Sequence, residues 1–232
     1  MSSFHDDMLE PMGRSCRAPS LFLIRAPALA GMIGPPLFAI LVTIGALLEP
    51  NYDWVRQTIS QLVWGSTGWL QTFAFILFAL CLAMLAGGLS WHWRGKSTRW
   101  LSFGLMLLAF SFLLIACFPT DHPGVRTAIG IWHQQVTRGA ILLFVLCTML
   151  SPVWLWRDIC WRDLSVAGVV VAAITLSMAL GWDWFPTEWL KNWKGLYERL
   201  MLLPAFLWLE LISSRLWKRS CPEKRESDRD RL

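Results

Sequence analysis

Charged residues are scarce in this chain: Asp, Glu, Lys and Arg make up 16% of its 232 residues, against 55% hydrophobic ones. With a mean hydropathy of +0.46, that scarcity excludes an ordinary water-solvated globular domain and makes lipid the expected solvent. Paired cysteines are lacking as well. The six Cys (Cys16, Cys81, Cys117, Cys147, Cys160, Cys221) show no C-x-x-C spacing, and no two share a loop on the predicted outer face. A disulfide framework is therefore not expected, and they read as small packing residues. No G-x-S-x-G elbow surrounds Ser60, and no internal repeat has an alignable period. An inverted-repeat transporter has no support in the pattern.

What the chain has in quantity is uninterrupted apolar sequence. Charge-free runs cover 26–48, 57–93, 100–120, 139–156 and 164–182. Each is near the roughly 20 residues that a helix needs to cross a ~30 Å hydrocarbon core. Within the longest, about 69–90 is assigned to a span. A sixth span, about 196–216, is built on "LMLLPAFLWL" although Glu198, Arg199 and Glu210 interrupt it. Amides in hydrocarbon must be satisfied within the segment, and runs this continuous are helices rather than alternating barrel strands. The expected fold is all-α: a polytopic membrane protein of six transmembrane helices, with short amphipathic helices in the outer loops. Nearly all of the 16 Trp fall at predicted span ends, as two interfacial belts require, and Trp208 alone is clearly mid-span.

Orientation follows from the basic residues. With the N-terminus inside, most Lys and Arg lie on inner segments, including Arg94, Lys96, Arg99, Arg157, Arg162 and the cluster from Arg215 onward. The positive-inside rule then places both termini in the cytoplasm of a multi-pass cell-membrane protein. The division is a tail over 1–27, a six-helix domain over 28–217 and a charged tail over 218–232. Asp6, Asp7 and Glu10 spoil a basic n-region, so the first apolar run is read as a retained span rather than a cleaved signal. The formal charge of +5 calls for no nucleic-acid partner, because the mixed-sign tail can sit near anionic headgroups. Membrane lipids are the expected partners. Neither a cofactor nor an oligomeric state is assigned.

Short inner loops predict helical hairpins from spans two and three and from spans four and five, which leaves the longer outer loops (about 49–68, 119–137 and 182–195) to carry any chemistry. Gly34-Pro35-Pro36 predicts a kink or restart in the first span. Gly31, Gly34, Gly87, Gly88 and Gly104 predict close helix approach. In "YDWVRQTISQ", Asp53, Arg56, Gln57 and Ser60 are spaced i, i+3, i+4 and i+7, which predicts an interfacial amphipathic helix. From Gly124 a second short helix aligns Arg126, Gly130, His133 and Thr137. "LYERL" sets Glu198 and Arg199 about one turn into the last span, a depth at which charges are costly unless paired or in a wet cavity. Asp183 and Glu188 read as anchors of an interfacial loop, Glu210 as a partner for Arg215 or a group facing a cavity, and Arg157, Asp158, Arg162 and Asp163 as a solvated loop.

"ISQLVWGSTGWLQT", then "FPTD", a later His and an "ER" heading the last span resemble the six-span prokaryotic membrane family catalogued as domain of unknown function nine-nine-eight. The likeness runs from about Gly31 to Trp217. It implies a six-helix integral membrane protein and no catalytic assignment. Many members carry an acidic residue where this chain has Gln61, so a mechanism needing a carboxylate there has no support here.

Two classes of function remain open. In one, an outward-facing polar pocket binds or modifies a lipid or small amphiphile, with Ser60, Asp121 and His133 as nucleophile, orienting carboxylate and base, and with Asp53, Arg56, Gln57, Arg126, Arg138, Glu198 and Arg199 around them. A metal version with Asp121, His122 and His133 is short of ligands, because His5 and His92 fall on the inner side, and no metal is assigned. In the other, the protein is a transporter or scaffold whose outer charges are structural ion pairs. A transporter calls for polar groups continuing through the bundle, and the last span offers none between Glu198 and Glu210.

Overall fold

The computed structural model describes residues 21–92, 96–156, 161–184 and 187–219. Residues 1–20 and 220–232, which make up most of the expected tails over 1–27 and 218–232, lie outside the described residues, as do Arg94, Arg157 and Asp158. Each apolar run forms one helix: α1 (Leu21–Leu48), α2 (Gly68–His92), α3 (Lys96–Cys117), α4 (Ala128–Trp156), α5 (Asp163–Trp184) and α7 (Lys194–Arg219). Two short pieces join them, a 3₁₀ helix (Ile59–Trp64) and α6 (Thr187–Lys191). The six long helices are long and apolar enough to cross a membrane.

Successive helices pack side by side, and α7 closes a ring between α5 and α1. The ring's interior is aromatic and leucine-rich. Phe38, Phe75, Phe78, Phe112 and Phe206 form one cluster, with centroids 5.3 Å apart for Phe38 and Phe75 and 4.9 Å for Phe78 and Phe112. Leu85, Leu89, Leu105 and Leu108 fill the layers beneath. Outward-facing Ile33, Ile40, Ile44 and Leu47 on α1 are exposed at helical spacing, as a lipid-facing stripe requires. Trp54, Trp69, Trp132 and Trp193 are exposed at one end of the bundle and Trp91, Trp100 and Trp156 at the other. Trp161 departs from the belt reading, because it is buried. Buried mid-span, Trp208 donates its Nε1–H to Ser151 Oγ at 2.9 Å.

Small residues bring the helices together. A Cβ on Gly31 would lie 2.1 Å from Ser213 Oγ, and one on Gly88 would lie 2.2 Å from Pro27 Cβ. Gly87 faces open space and plays no such part. The restart expected at Gly34-Pro35-Pro36 does not occur, since α1 is continuous from Leu21 to Leu48. At that level α1 lies against α2, with the Gly34 Cβ position 2.8 Å from Cys81 Cβ, so packing holds the helical path where the prolines remove amide donors. Cys81 and Cys147 do sit at close approaches, next to Gly34 and Gly104.

At the end shared by the start of α1 and the end of α7, here the terminal end, Arg25 lies over the Trp217 ring at 5.5 Å. There Arg215 pairs with Asp163 rather than with Glu210, because Asp163 opens α5 beside it. Arg162 is likewise not free, as it donates to the Trp156 carbonyl at 3.2 Å. The opposite, loop end carries the 3₁₀ helix and the 118–127 connection. Glu188 on α6 is exposed there, and the Asp183 side chain lies outside the described residues.

Candidate functional site

The stretch after α1 turns before it can become helical. Asp53 Oδ1 accepts from the Val55 and Arg56 amides at 3.0 and 3.3 Å, and Gln57 Oε1 accepts from the Asp53 amide at 2.7 Å. Side chains that satisfy nearby amides in this way favour a turn over a helix. The amphipathic helix expected over 53–60 is therefore replaced by a folded turn over 52–58 and then the 3₁₀ helix. Gln61 opens that helix by accepting from the Thr58 amide at 3.0 Å. The proposed shared face is lost with it: Asp53 and Arg56 are exposed and form a local 3.6 Å ion pair, whereas Ser60 is half-buried.

Two neighbours on α7 hold this segment. Glu198 Oε2 accepts from the Ile59 amide at 2.6 Å. Arg199 Nη1 donates to the carbonyls of Trp54 (3.0 Å), Gln57 (3.3 Å) and Gly195 (3.0 Å), and Nη2 donates to the Tyr52 hydroxyl at 2.8 Å. That hydroxyl in turn lies 3.0 and 2.8 Å from the carbonyls of Gln57 and Thr58. Burial pushes the Tyr52 phenol above its ordinary range, against the pull of the Arg199 guanidinium, so it stays protonated and can donate. Gly195 permits the contact, because a Cβ there would sit 2.1 Å from the Gln57 carbonyl oxygen. The Leu196 amide then reaches Val55 O at 3.0 Å.

The second connection is fastened to the first. Trp64 donates Nε1–H to Thr120 O at 2.9 Å, and its ring stacks on His122 at 4.6 Å. Asp121 accepts from the Thr127 amide at 2.8 Å and from its hydroxyl at 2.6 Å, while Thr127 Oγ1 accepts from the Gly130 amide at 3.1 Å and so caps α4. The helix expected from Gly124 is thus the first turn of spanning helix α4, starting at Ala128, and Arg126 lies before it. The Thr127 bonds hold the Asp121 carboxyl below its ordinary range. A depressed carboxyl contributes stability that is present above its unfolded-state pKa and lost as pH falls through the folded one. Asp121→Asn should accordingly flatten the acid limb of a melting-temperature profile, relative to wild type, in detergent-solubilised protein.

Beside these fastenings the ring holds an open-sided cavity of about 100 Å³. Phe38, Phe75, Phe112 and Phe144 wall it, and Ser60, His133, Thr137, Thr175 and Glu198 supply its polar atoms. His133 Nδ1 lies 2.6 Å from Phe118 O. A carbonyl only accepts, so Nδ1 carries hydrogen and a neutral ring leaves Nε2 as an acceptor. Thr137 Oγ1 is buried without a hydrogen-bond partner.

The structure thus brings Ser60, His133 and Glu198 to one cavity. Asp121 is directed to Thr127, and His133 to Phe118, so the Ser60, Asp121 and His133 relay is not hydrogen-bonded together. Among the described residues, no three His, Cys, Asp or Glu side chains cluster as metal ligands. Arg126 and Arg138 are exposed, and Gln57 serves the turn. The expected ion-pair web across three loops is replaced by carboxylate-to-amide and guanidinium-to-carbonyl bonds: among the described residues, Asp53 with Arg56 is the ion pair at this end. Tyr52, Gly195 and Thr175 were not indicated by charge or spacing. Thr137, i+4 from His133, was aligned with it but not singled out.

Residues 32–215 match the family described as "Protein of unknown function (DUF998)". The chain belongs to that family. No curated protein and no solved structure matches it. DUF998 membership agrees with six long apolar helices in one chain, and it covers every element that lines the cavity.

Proposed function

We propose that this DUF998 protein binds a lipid or small amphiphile in the cavity at the loop end of the bundle, and that this end faces away from the cytoplasm. The supporting observation is one space lined by both chemistries: the rings of Phe38, Phe75, Phe112 and Phe144, and the polar side chains of Ser60, His133, Thr137 and Glu198. Apolar walls with a few placed polar groups suit such ligands. The distribution of Lys and Arg supports the orientation.

A catalytic step on that ligand is the second reading. It draws on His133, whose Nε2 remains an acceptor, in the same lining as the Ser60 and Thr137 hydroxyls. Passage of a solute through the bundle has less support. The buried hydroxyls of Thr148, Ser151 and Thr175 donate to carbonyls of their own helices at 2.8 to 2.9 Å.

Filling the cavity tests the binding reading. Ala140 and Ala179 both line it. Native mass spectrometry of protein released from its membrane should show a bound amphiphile on wild type, and its loss from Ala179→Trp and Ala140→Leu. An identical adduct on folded variants would contradict the proposal.

A further inference from the structure

Resting on that binding reading, we infer that the occupant's polar end is a hydrogen-bond donor, a hydroxyl or a protonated amine on an apolar chain, rather than a phosphate or carboxylate. The free hydrogen-bonding capacity of the lining carries this. Glu198 has one partner among the described residues, the Ile59 amide, and a carboxylate offers about four acceptor positions. His133 presents Nε2 as an acceptor, because Nδ1–H is held by Phe118 O. The Thr175 hydroxyl hydrogen goes to Val171 O at 2.8 Å, which leaves lone pairs for anything else. Ser60 and Thr58 share a hydrogen across 3.2 Å. Thr137 Oγ1 is the buried hydroxyl in the lining with no partner, and so the donor left uncommitted.

Acceptors therefore outnumber donors, and no Lys or Arg lines the cavity. Arg199 is adjacent in sequence, but its guanidinium is committed to the oxygens of Tyr52, Trp54, Gln57 and Gly195. An anionic headgroup would add acceptors to this lining with no Lys or Arg in it to receive them, while a hydroxyl or ammonium group would fill its free lone pairs.

The test uses the full chain in phosphatidylcholine nanodiscs at pH 7, with hexadecanol, hexadecylamine and palmitate as probes of equal chain length. Binding is read by native mass spectrometry and by the shift in melting temperature. The alcohol and the amine should bind, and palmitate should bind weaker by about tenfold or more, the scale of one lost charged hydrogen bond. Glu198→Gln keeps an acceptor for the Ile59 amide and should weaken the amine more than the alcohol. Palmitate binding as tightly as the alcohol would overturn the donor assignment while leaving the cavity reading standing. Failure of all three probes, or binding unaffected by Ala179→Trp, would instead remove the cavity reading itself.

Discussion

Arg199→Ala is expected to unlatch residues 52–58 from α7 and to be among the most destabilising single changes at the loop end. One guanidinium supplies donors to three carbonyls and to the Tyr52 hydroxyl. Each oxygen left dry costs about 1–3 kcal/mol. Part of the site is open to water, so the net loss should be about 3 kcal/mol rather than the full sum. Arg199→Lys should recover only a fraction, because an ammonium is a point charge that lacks the planar fork needed to reach Tyr52 and Trp54 together. Denaturant or thermal unfolding in detergent measures the loss, and limited proteolysis over 52–58 locates it. Wild-type stability in Arg199→Ala would mean that the latch carries no load.

Gly195→Ala should act on the same latch from the backbone side. Its Cβ would lie 2.1 Å from the Gln57 oxygen and 2.7 Å from the Trp54 oxygen, and these are main-chain atoms that cannot swing aside. Relief requires moving the turn off α7, which breaks the 3.0 Å bond between the Leu196 amide and Val55 O. Overpacking of this kind costs about 1–3 kcal/mol. The two substitutions share one contact, so the double variant should lose clearly less than the sum of the singles, and full additivity would separate the two effects. Amide hydrogen exchange at Leu196 should accelerate in both singles.

The spans were legible because lipid imposes a simple rule on composition: long charge-free runs must be helices that satisfy their own amides. Glu198 and Arg199 stood out for the same reason, as charges about one turn inside such a run. Their partners did not. The sequence pattern favoured opposite charges, whereas Glu198 takes an amide hydrogen and Arg199 takes carbonyls, which no list of ionisable residues contains. The 53–60 helix failed because a 3.6-residue period says nothing about side chains that bond locally. Asp53 and Gln57 bond their own turn, and the chain folds back before a helix can start. In the expected relay from Asp121 through His133 to Ser60, the hydrogen bonds go elsewhere: Asp121 accepts from Thr127, six residues on, and His133 Nδ1 donates to the Phe118 carbonyl, a partner that no pattern of ionisable residues contains.

The cavity itself is partly visible in hindsight. His133, Thr137, Ala140 and Phe144 on α4, with Glu198, Met201, Leu202 and Ala205 on α7, keep helical spacing and line one space. Only the ring closure, in which α7 packs between α5 and α1, turns those stripes toward each other.

The most direct test is an experimental structure of the full chain in lipid nanodiscs. The account predicts elongated ligand density running from Phe38, Phe75 and Phe112 to the polar group formed by Glu198, His133 and Thr137, with the 3₁₀ helix seated on the Glu198 carboxylate. A bundle in which α4 and α7 close together over that space, with Glu198 turned out to bulk water, would contradict it.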